Sequence, residues 1–470
     1  MIKLGKLHTW LVGSKLFGST ETVVSRIHTD TRTIQKGDLF VALCGDQFDG
    51  GAFVEEAIAK GAAAVLAQSG LEEKAVKGLE VIDTKIALGD IAAQWRSQYT
   101  LPIIAVTGSN GKTTVTQMIA SILAVHAGQA SLATIGNLNN DIGVPLTLLR
   151  LKSEHKIAVL ELGMNHPGEI AYLATIVKPT IVLVNNAQRE HLEFMLTVEA
   201  VANENGSVIS ALSDTGVAVF PADDDYSSVW KQLAGHRNTL TFALDRESDA
   251  NVDVHCTKAD WINGQWHVIV ETPSGQIKYS LNIAGRHNVK NSLAAISCAL
   301  AAQIPTDTIA QGLQLFSPVK GRSLMQRLRC VERDVLLIDD TYNSNPDSMK
   351  AAIDSLAEMA APRLIVMGEM GEVGKQGIAF HAEVGAYAAS KKIEKLFTFG
   401  ALSKEAAIHF KDAQHFESIE ALNIAVGAEL GHMSSVLVKG SRFMKMERVI
   451  QHIISFDSHK NKNREKTNAA

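Results

Sequence analysis

The stretch Thr107, Gly108, Ser109, Asn110, Gly111, Lys112, Thr113, Thr114 constrains this chain more than any other. The apolar run IIAV from Ile103 precedes it, and Val115, Met118, Ile119 and Ile122 follow at the i, i+3, i+4, i+7 spacing of one helix face. A glycine-containing turn that leads from a strand straight into a helix points several backbone N–H groups, and the positive end of the helix dipole, at one spot. Phosphate fits there. Lys112 is spaced to reach terminal phosphates and the Thr113 hydroxyl to coordinate a bridging magnesium ion, so the motif implies ATP and Mg2+. The common phosphate loop has a further glycine at the position held here by Val106, which makes this a shortened variant.

Apolar runs and helical patterns alternate around the loop. IAVL from Ile157 and IVLV from Ile181 read, with IIAV, as strands of a parallel sheet covered on both faces. A second series, VLLI from Val335, LIVM from Leu364, LFTF from Leu396 and VLVKG from Val436, reads as a separate α/β domain after Pro318. GDLFVAL and FVEEAIAKGAAAVL supply a strand and a helix to a smaller unit before them. The expected fold is therefore α/β with three domains: a smaller N-terminal α/β domain (1–84), a central phosphate-loop parallel-sheet ATPase domain (85–317) and a Rossmann-like C-terminal α/β domain (318–456). The tail 457–470 is charged and aperiodic, and disorder is expected for it.

Composition removes several function classes. A net charge of -5 leaves no basic excess for a nucleic-acid backbone. MIKLGKLHTWLVG lacks the layout of a secretory signal, and no run approaches the ~18 apolar residues of a membrane helix. Cys44, Cys256, Cys298 and Cys330 have no paired spacing, which reads as a reduced, cytoplasmic chain with four buried thiols. Glu161 ends the run IAVLE, at the carboxyl edge where open α/β sheets hold ligands; it suits a magnesium ligand, although read alone a strand-end Glu is more often a cap or surface charge, so the assignment leans on the loop.

With TGSNGKTT, the segments GNLNNDIGVPLTLL from Gly136, ELGMNHPGEI from Glu161, GRHNVKNSLAA from Gly285, IDDTYNSNPDSM from Ile338 and LVKGSRFMKME from Leu437 resemble the Mur ligases over essentially the whole chain. YNSNP and NNDIGVPLTLL look most like the dipeptide-adding member of that family, and no DNPR motif occurs. The resemblance implies an ATP-dependent, ADP-forming amide ligation by a cytoplasmic monomer, with UDP-N-acetylmuramoyl-tripeptide and D-alanyl-D-alanine as partners. It also implies roles. Lys112, His191 and Arg322 become catalytic candidates; the loop from Thr107 to Thr114, Asn288, Arg322 and Asp340 become ATP contacts; Thr113, Glu161 and His191 become metal ligands. Substrate contacts would be Thr29, Asp30 and Arg32 in the N-terminal domain, Asn137, Asn140, Asn165 and His166 in the central one, and Tyr342, Asn343, Asn345, Lys439, Ser441 and Arg442 in the C-terminal one. Simpler readings stand beside these: a packed His191, a turn at Asn165 and His166, helix caps at Asn288 and Asn345, and a strand-end turn at Lys439 to Arg442.

Two positions depart from the pattern. Many Mur ligases carry a carbamylated lysine that serves a second magnesium where this chain has Asn205, so that metal would lose the ligand, turn to Glu204, or rely on water. Gly51 in FDGG stands where relatives usually have His. Three domains around one reaction further imply closure, with the C-terminal domain swinging in when nucleotide binds.

Overall fold

The computed structural model describes residues 1–45, 48–245, 252–330 and 333–457. Its centre is a sheet in the order Ser131–Ala133, Ile157–Glu161, Ile103–Thr107, Ile181–Val184, Val217–Pro221, Asn238–Ala243, Val254–Ile262, Gln265–Thr272, Gly275–Leu281. Strands up to Val254–Ile262 run parallel. Ile103 and Ala105 pack into one core and Ile104 and Val106 into another, because successive side chains of a strand point to opposite faces. That double burial is why the run is apolar throughout.

The parallel sheet expected here is extended by an antiparallel meander, Val254 to Leu281. Its first turn is Asn263-Gly264, both at positive φ (54° and 84°), as a tight hairpin turn requires. The helix Lys112–Ala127 buries Val115, Met118, Ile119 and Ile122, the stripe the spacing predicts.

The C-terminal sheet runs Leu324–Cys330, Arg333–Asp340, Ser435–Lys439, Arg363–Gly368, Lys395–Phe399, Ala413–Phe416, parallel except for its antiparallel first pair. A third sheet, Lys15–Phe17, Gly78–Glu80, Ala64–Ala67, Asp38–Val41, Arg26–His28, forms the N-terminal unit. The helix Thr84–Arg96 belongs to two cores, since Ala87, Leu88 and Ile91 pack with Leu4 and Leu7 while Ala92 packs with the central sheet. The mixed α/β architecture, with one large sheet in each of three units, is thus the expected one.

Some details differ from expectation. Cys298 and Cys330 are buried, but Cys44 and Cys256 are only half-buried, one in a short hairpin and one in the meander. Asp457 pairs with Cys330 in a bridge and accepts Arg329 N–H; the rest of the tail lies outside the described residues. Among the described residues no helix is long and apolar enough to cross a membrane.

Candidate active site

Side-chain amides brace the phosphate loop from behind. Gly108 N–H donates to Asn205 Oδ1 (2.9 Å), Asn110 N–H to Asn186 Oδ1 (2.8 Å) and Ser109 N–H to the Asn186 carbonyl (3.1 Å). Asn110 O accepts from Nδ2 of Asn185 and of Asn186. The N–H groups left without an acceptor among the described residues are those of Gly111, Lys112, Thr113 and Thr114, at the head of the helix. Four free donors and the dipole's positive end form an anion site. Gly111 sits at φ 80°, and a Cβ there would lie 2.5 Å from Asn291 Oδ1, so both conformation and space demand glycine. Lys112 Nζ lies over the site, bonded to Glu190 Oε1 (2.8 Å) and to the Gly108 and Ser109 carbonyls.

The register Val106↔Glu161 sets the Glu161 carboxylate beside the loop. Its Oε1 accepts from Thr113 Oγ1 (3.2 Å) and Asn139 Nδ2 (2.7 Å), whereas Oε2 is buried with no partner. An orphaned carboxylate oxygen facing a cleft is costly until a cation meets it. One carboxylate with one hydroxyl is a hard-oxygen donor set that suits Mg2+, which draws its other ligands from phosphate and water. No three His, Cys, Asp or Glu residues converge into an all-protein cage among the described residues. The residues present therefore fit magnesium at Thr113 and Glu161.

The C-terminal domain supplies the facing wall. Asp340 and Lys439 end neighbouring strands in register, and their side chains pair at 2.7 Å, with Lys439 Nζ also donating to Asn343 O. Arg322 lies 4.0 Å over the Tyr342 ring and Arg442 5.9 Å from it. Arg322 forms no ion pair among the described residues, which leaves its charge available. Asn345 caps the helix Pro346–Ala357 and reaches Asn110 Oδ1 with its Nδ2 at 2.9 Å. Loop, carboxylate and cationic wall line one cleft of about 1320 Å3.

The family model for the Mur ligase middle domain matches residues 106–299, that for the Mur ligase glutamate ligase domain residues 325–442, and that for the Mur ligase family catalytic domain residues 23–96. UDP-N-acetylmuramoyl-tripeptide--D-alanyl-D-alanine ligase of Haemophilus influenzae is 38% identical over 96% of this chain and 98% of its own. The chain belongs to the Mur ligase family. Its namesake in Escherichia coli is 37% identical over 94% of this chain and 96% of its own. A crystal structure of MurF from Acinetobacter baumannii matches with a TM-score of 0.88 at 32% identity, covering 97% of this chain and 99% of that one.

In this Mur ligase most of the expected residues converge. Ser109 to Thr114, Asn137, Asn140, Glu161, Asn165, His191, Asn288, Arg322, Asp340, Tyr342, Asn343, Asn345, Lys439, Ser441 and Arg442 all line the cleft. Several have prior commitments. Asn288 Nδ2 donates to Ala284 O and His287 Nε2 while its Oδ1 accepts from Asn291, so its amide is spent on the helix rather than free for a base. Asn140 Oδ1 caps the helix Gly143–Leu148, and its neighbour Asn139 holds Glu161. Lys439 holds Asp340, and Ser441 Oγ bridges Gly371 N–H and Ser344 O.

Others lie elsewhere. Thr107 is buried behind the loop with Oγ1 on the Leu183 and Asn205 carbonyls, and Gly108 gives its N–H to Asn205, so neither lines the cleft. His166 packs on Phe194 and Glu169 in an exposed turn outside it. Thr29, Asp30 and Arg32 sit on the N-terminal unit; the Arg32 side chain and backbone N–H hold the exposed Asp30 carboxyl down at about 2. Gly51 donates its N–H to Asp49 Oδ1, and a side chain at 51 would crowd that oxygen at 2.9 Å.

His191 lines the cleft between two carboxylates. Its Nδ1 lies 2.6 Å from Glu372 Oε2 and its Nε2 3.5 Å from Glu190 Oε1. Burial works to lower its pKa, but the two carboxylates outweigh that and push it up to about 9. Asn205 faces the loop and Val201 O, and Glu204 caps the helix Glu169–Val177 through Gly168 and Ile170 N–H. Neither enters the cleft. Asn139 lies within GNLNNDIGVPLTLL and Arg189 and Glu190 directly precede His191, but the roles of all three emerge only from their partners.

Proposed function

We propose that this Mur ligase uses ATP and Mg2+ to join D-alanyl-D-alanine to UDP-N-acetylmuramoyl-tripeptide in the cytoplasm, forming ADP, for peptidoglycan precursor synthesis. The names of the Haemophilus and Escherichia relatives support the substrates. The observation that carries the reading is the shared cleft of about 1320 Å3, in which a phosphate loop faces the Arg322 guanidinium, without an ion-pair partner among the described residues. A carboxylate is a poor electrophile until it is phosphorylated. The terminal carboxylate of the tripeptide takes the γ-phosphoryl group, ADP leaves, the amine of the dipeptide attacks the acyl carbon with loss of a proton, and phosphate departs as the amide forms.

This chain's residues do the screening that such a transfer needs. The N–H groups of Gly111 to Thr114 cradle phosphate, and Lys112, Arg322 and protonated His191 offset the charge that carboxylate and phosphate bring together. Thr113 and Glu161 would hold magnesium, which would supply further neutralisation of phosphate. Thr29, Asp30 and Arg32 take the UDP end on the N-terminal domain, outside the cleft.

The test is ATP-dependent phosphate release with UDP-tripeptide, scored for its requirement for D-alanyl-D-alanine. Release that ignores the dipeptide and responds to a single amino acid would overturn the proposal.

A further inference from the structure

Residues Gln188 to His191 follow the strand Ile181–Val184 and run between the phosphate loop and the C-terminal domain. Their contacts alternate between the two. Gln188 accepts Asn110 Nδ2 on its Oε1 (2.6 Å) and gives its N–H to Ser109 Oγ (2.9 Å), and Glu190 holds Lys112 at 2.8 Å. Arg189 and His191 face the other way. Arg189 donates Nε and Nη2 to the Asp347 carboxylate, its backbone N–H to the same carboxylate (2.9 Å) and Nη1 to Glu383 (2.8 Å). Its guanidinium also lies 5.0 Å over the Phe380 ring, and His191 pairs with Glu372.

Asp347 and Glu383 belong to different helices of the C-terminal domain, Pro346–Ala357 and Gly377–Ser390, and Lys350 pairs with Glu383 from behind. One guanidinium therefore ties two helices of one domain to a loop of another. A planar fork bonded to a carboxylate through two nitrogens fixes orientation as well as distance, which an ammonium cannot do. The helix that Arg189 grips also carries Asn345, whose amide touches loop residue Asn110. Docking thus sets how the C-terminal wall, with Asp340, Tyr342 and Lys439, stands over the phosphate loop.

We infer that Arg189 is a positioning residue of this enzyme: it fixes the C-terminal domain over the phosphate loop. The inference rests on the ligation proposed above for its turnover readout only.

The experiment compares full-length Arg189→Met, Arg189→Lys and the charge-reversed pair Arg189→Asp with Asp347→Arg. Small-angle scattering with ADP and magnesium reads the docking, nucleotide titration reads ADP affinity, and kcat and KM are measured with all three substrates. Arg189→Met is expected to lower kcat by about tenfold or more, as loss of a partly buried charge pair does, with ADP affinity kept and a larger radius of gyration. Arg189→Lys should recover part of kcat, and the reversed pair should recover compaction. Wild-type compaction and kcat in Arg189→Met, or a loss confined to ADP affinity, would overturn the inference. Should the wild type fail to ligate these substrates, the scattering still decides the role of Arg189.

Discussion

Lys112 and Asn205 meet at the same loop and do different work. Lys112 is aimed into the anion site, and Arg322 stands across the cleft. Lys112→Ala should lower turnover on the order of a hundred- to a thousandfold, the usual loss when one charge-stabilising group is removed. Glu190 keeps His191 at 3.5 Å as a cationic neighbour, so the variant should stay folded by circular dichroism. A variant retaining most of its rate would remove the loop from the mechanism. Asn205, 1% exposed, accepts the Gly108 N–H and donates to Val201 O. Asn205→Ala should destabilise the protein by about 1–3 kcal/mol in urea unfolding, the cost of a buried N–H without an acceptor, and weaken ATP binding as the loop loses its strut. Unchanged stability would show that water replaces the amide. The loop itself was legible in the sequence, because its function depends on local order of residues. Asn205 was legible only as a departure from a family pattern, since its partner lies 97 residues away.

Helices and strands were legible where a period was strong and hidden where partners are distant. The stripe Val115, Met118, Ile119, Ile122 locates one helix face, but nothing local announces that the helix Thr306–Leu315 packs on it through Gly312. A Cβ at Gly312 would lie 2.4 Å from Ile122 Cα, and Ser121 Oγ donates to Gly312 O. Gly312→Val should therefore overpack this crossing and cost about 1–3 kcal/mol, read as a lower urea midpoint at constant slope. The antiparallel meander escaped the reading of a parallel sheet although its alternation and Asn263-Gly264 turn were present, since apolar runs elsewhere dominated. The helix Gly377–Ser390 gives a pH prediction. His381, fully buried, receives Met370 N–H on Nε2 and donates Nδ1–H to Gly377 O, an arrangement open only to neutral imidazole. Burial lowers its pKa from the ordinary 6.5, so the unfolded chain binds the extra proton first and stability falls as pH drops below about 6.5. Thermal melts from pH 7 to 5 should show a decline that is shallower in His381→Gln; equal slopes would remove His381 from the acid response.

Across the whole molecule, the cleft draws its lining from the central and C-terminal domains, and no described residue before Ser109 contributes. Thr29, Asp30 and Arg32 follow the edge strand Arg26–His28 of a separate sheet, which is joined to the centre through the helix Thr84–Arg96. On the proposed assignment a nucleotide is bound without the N-terminal domain, whereas a UDP-linked peptide spans both, its uridine end on that domain and its carboxylate at Lys112. Binding protects what it touches from local opening. Hydrogen exchange should then separate the two ligands. An ATP analogue with magnesium should slow exchange at Gly111 to Thr114 and across Gln188 to His191, leaving residues 29–33 at their free rate. UDP-tripeptide should slow both regions. Protection of 29–33 by nucleotide alone would show that the domains close as one body before the long substrate arrives, and absence of protection there with UDP-tripeptide would move the uridine site off Thr29, Asp30 and Arg32.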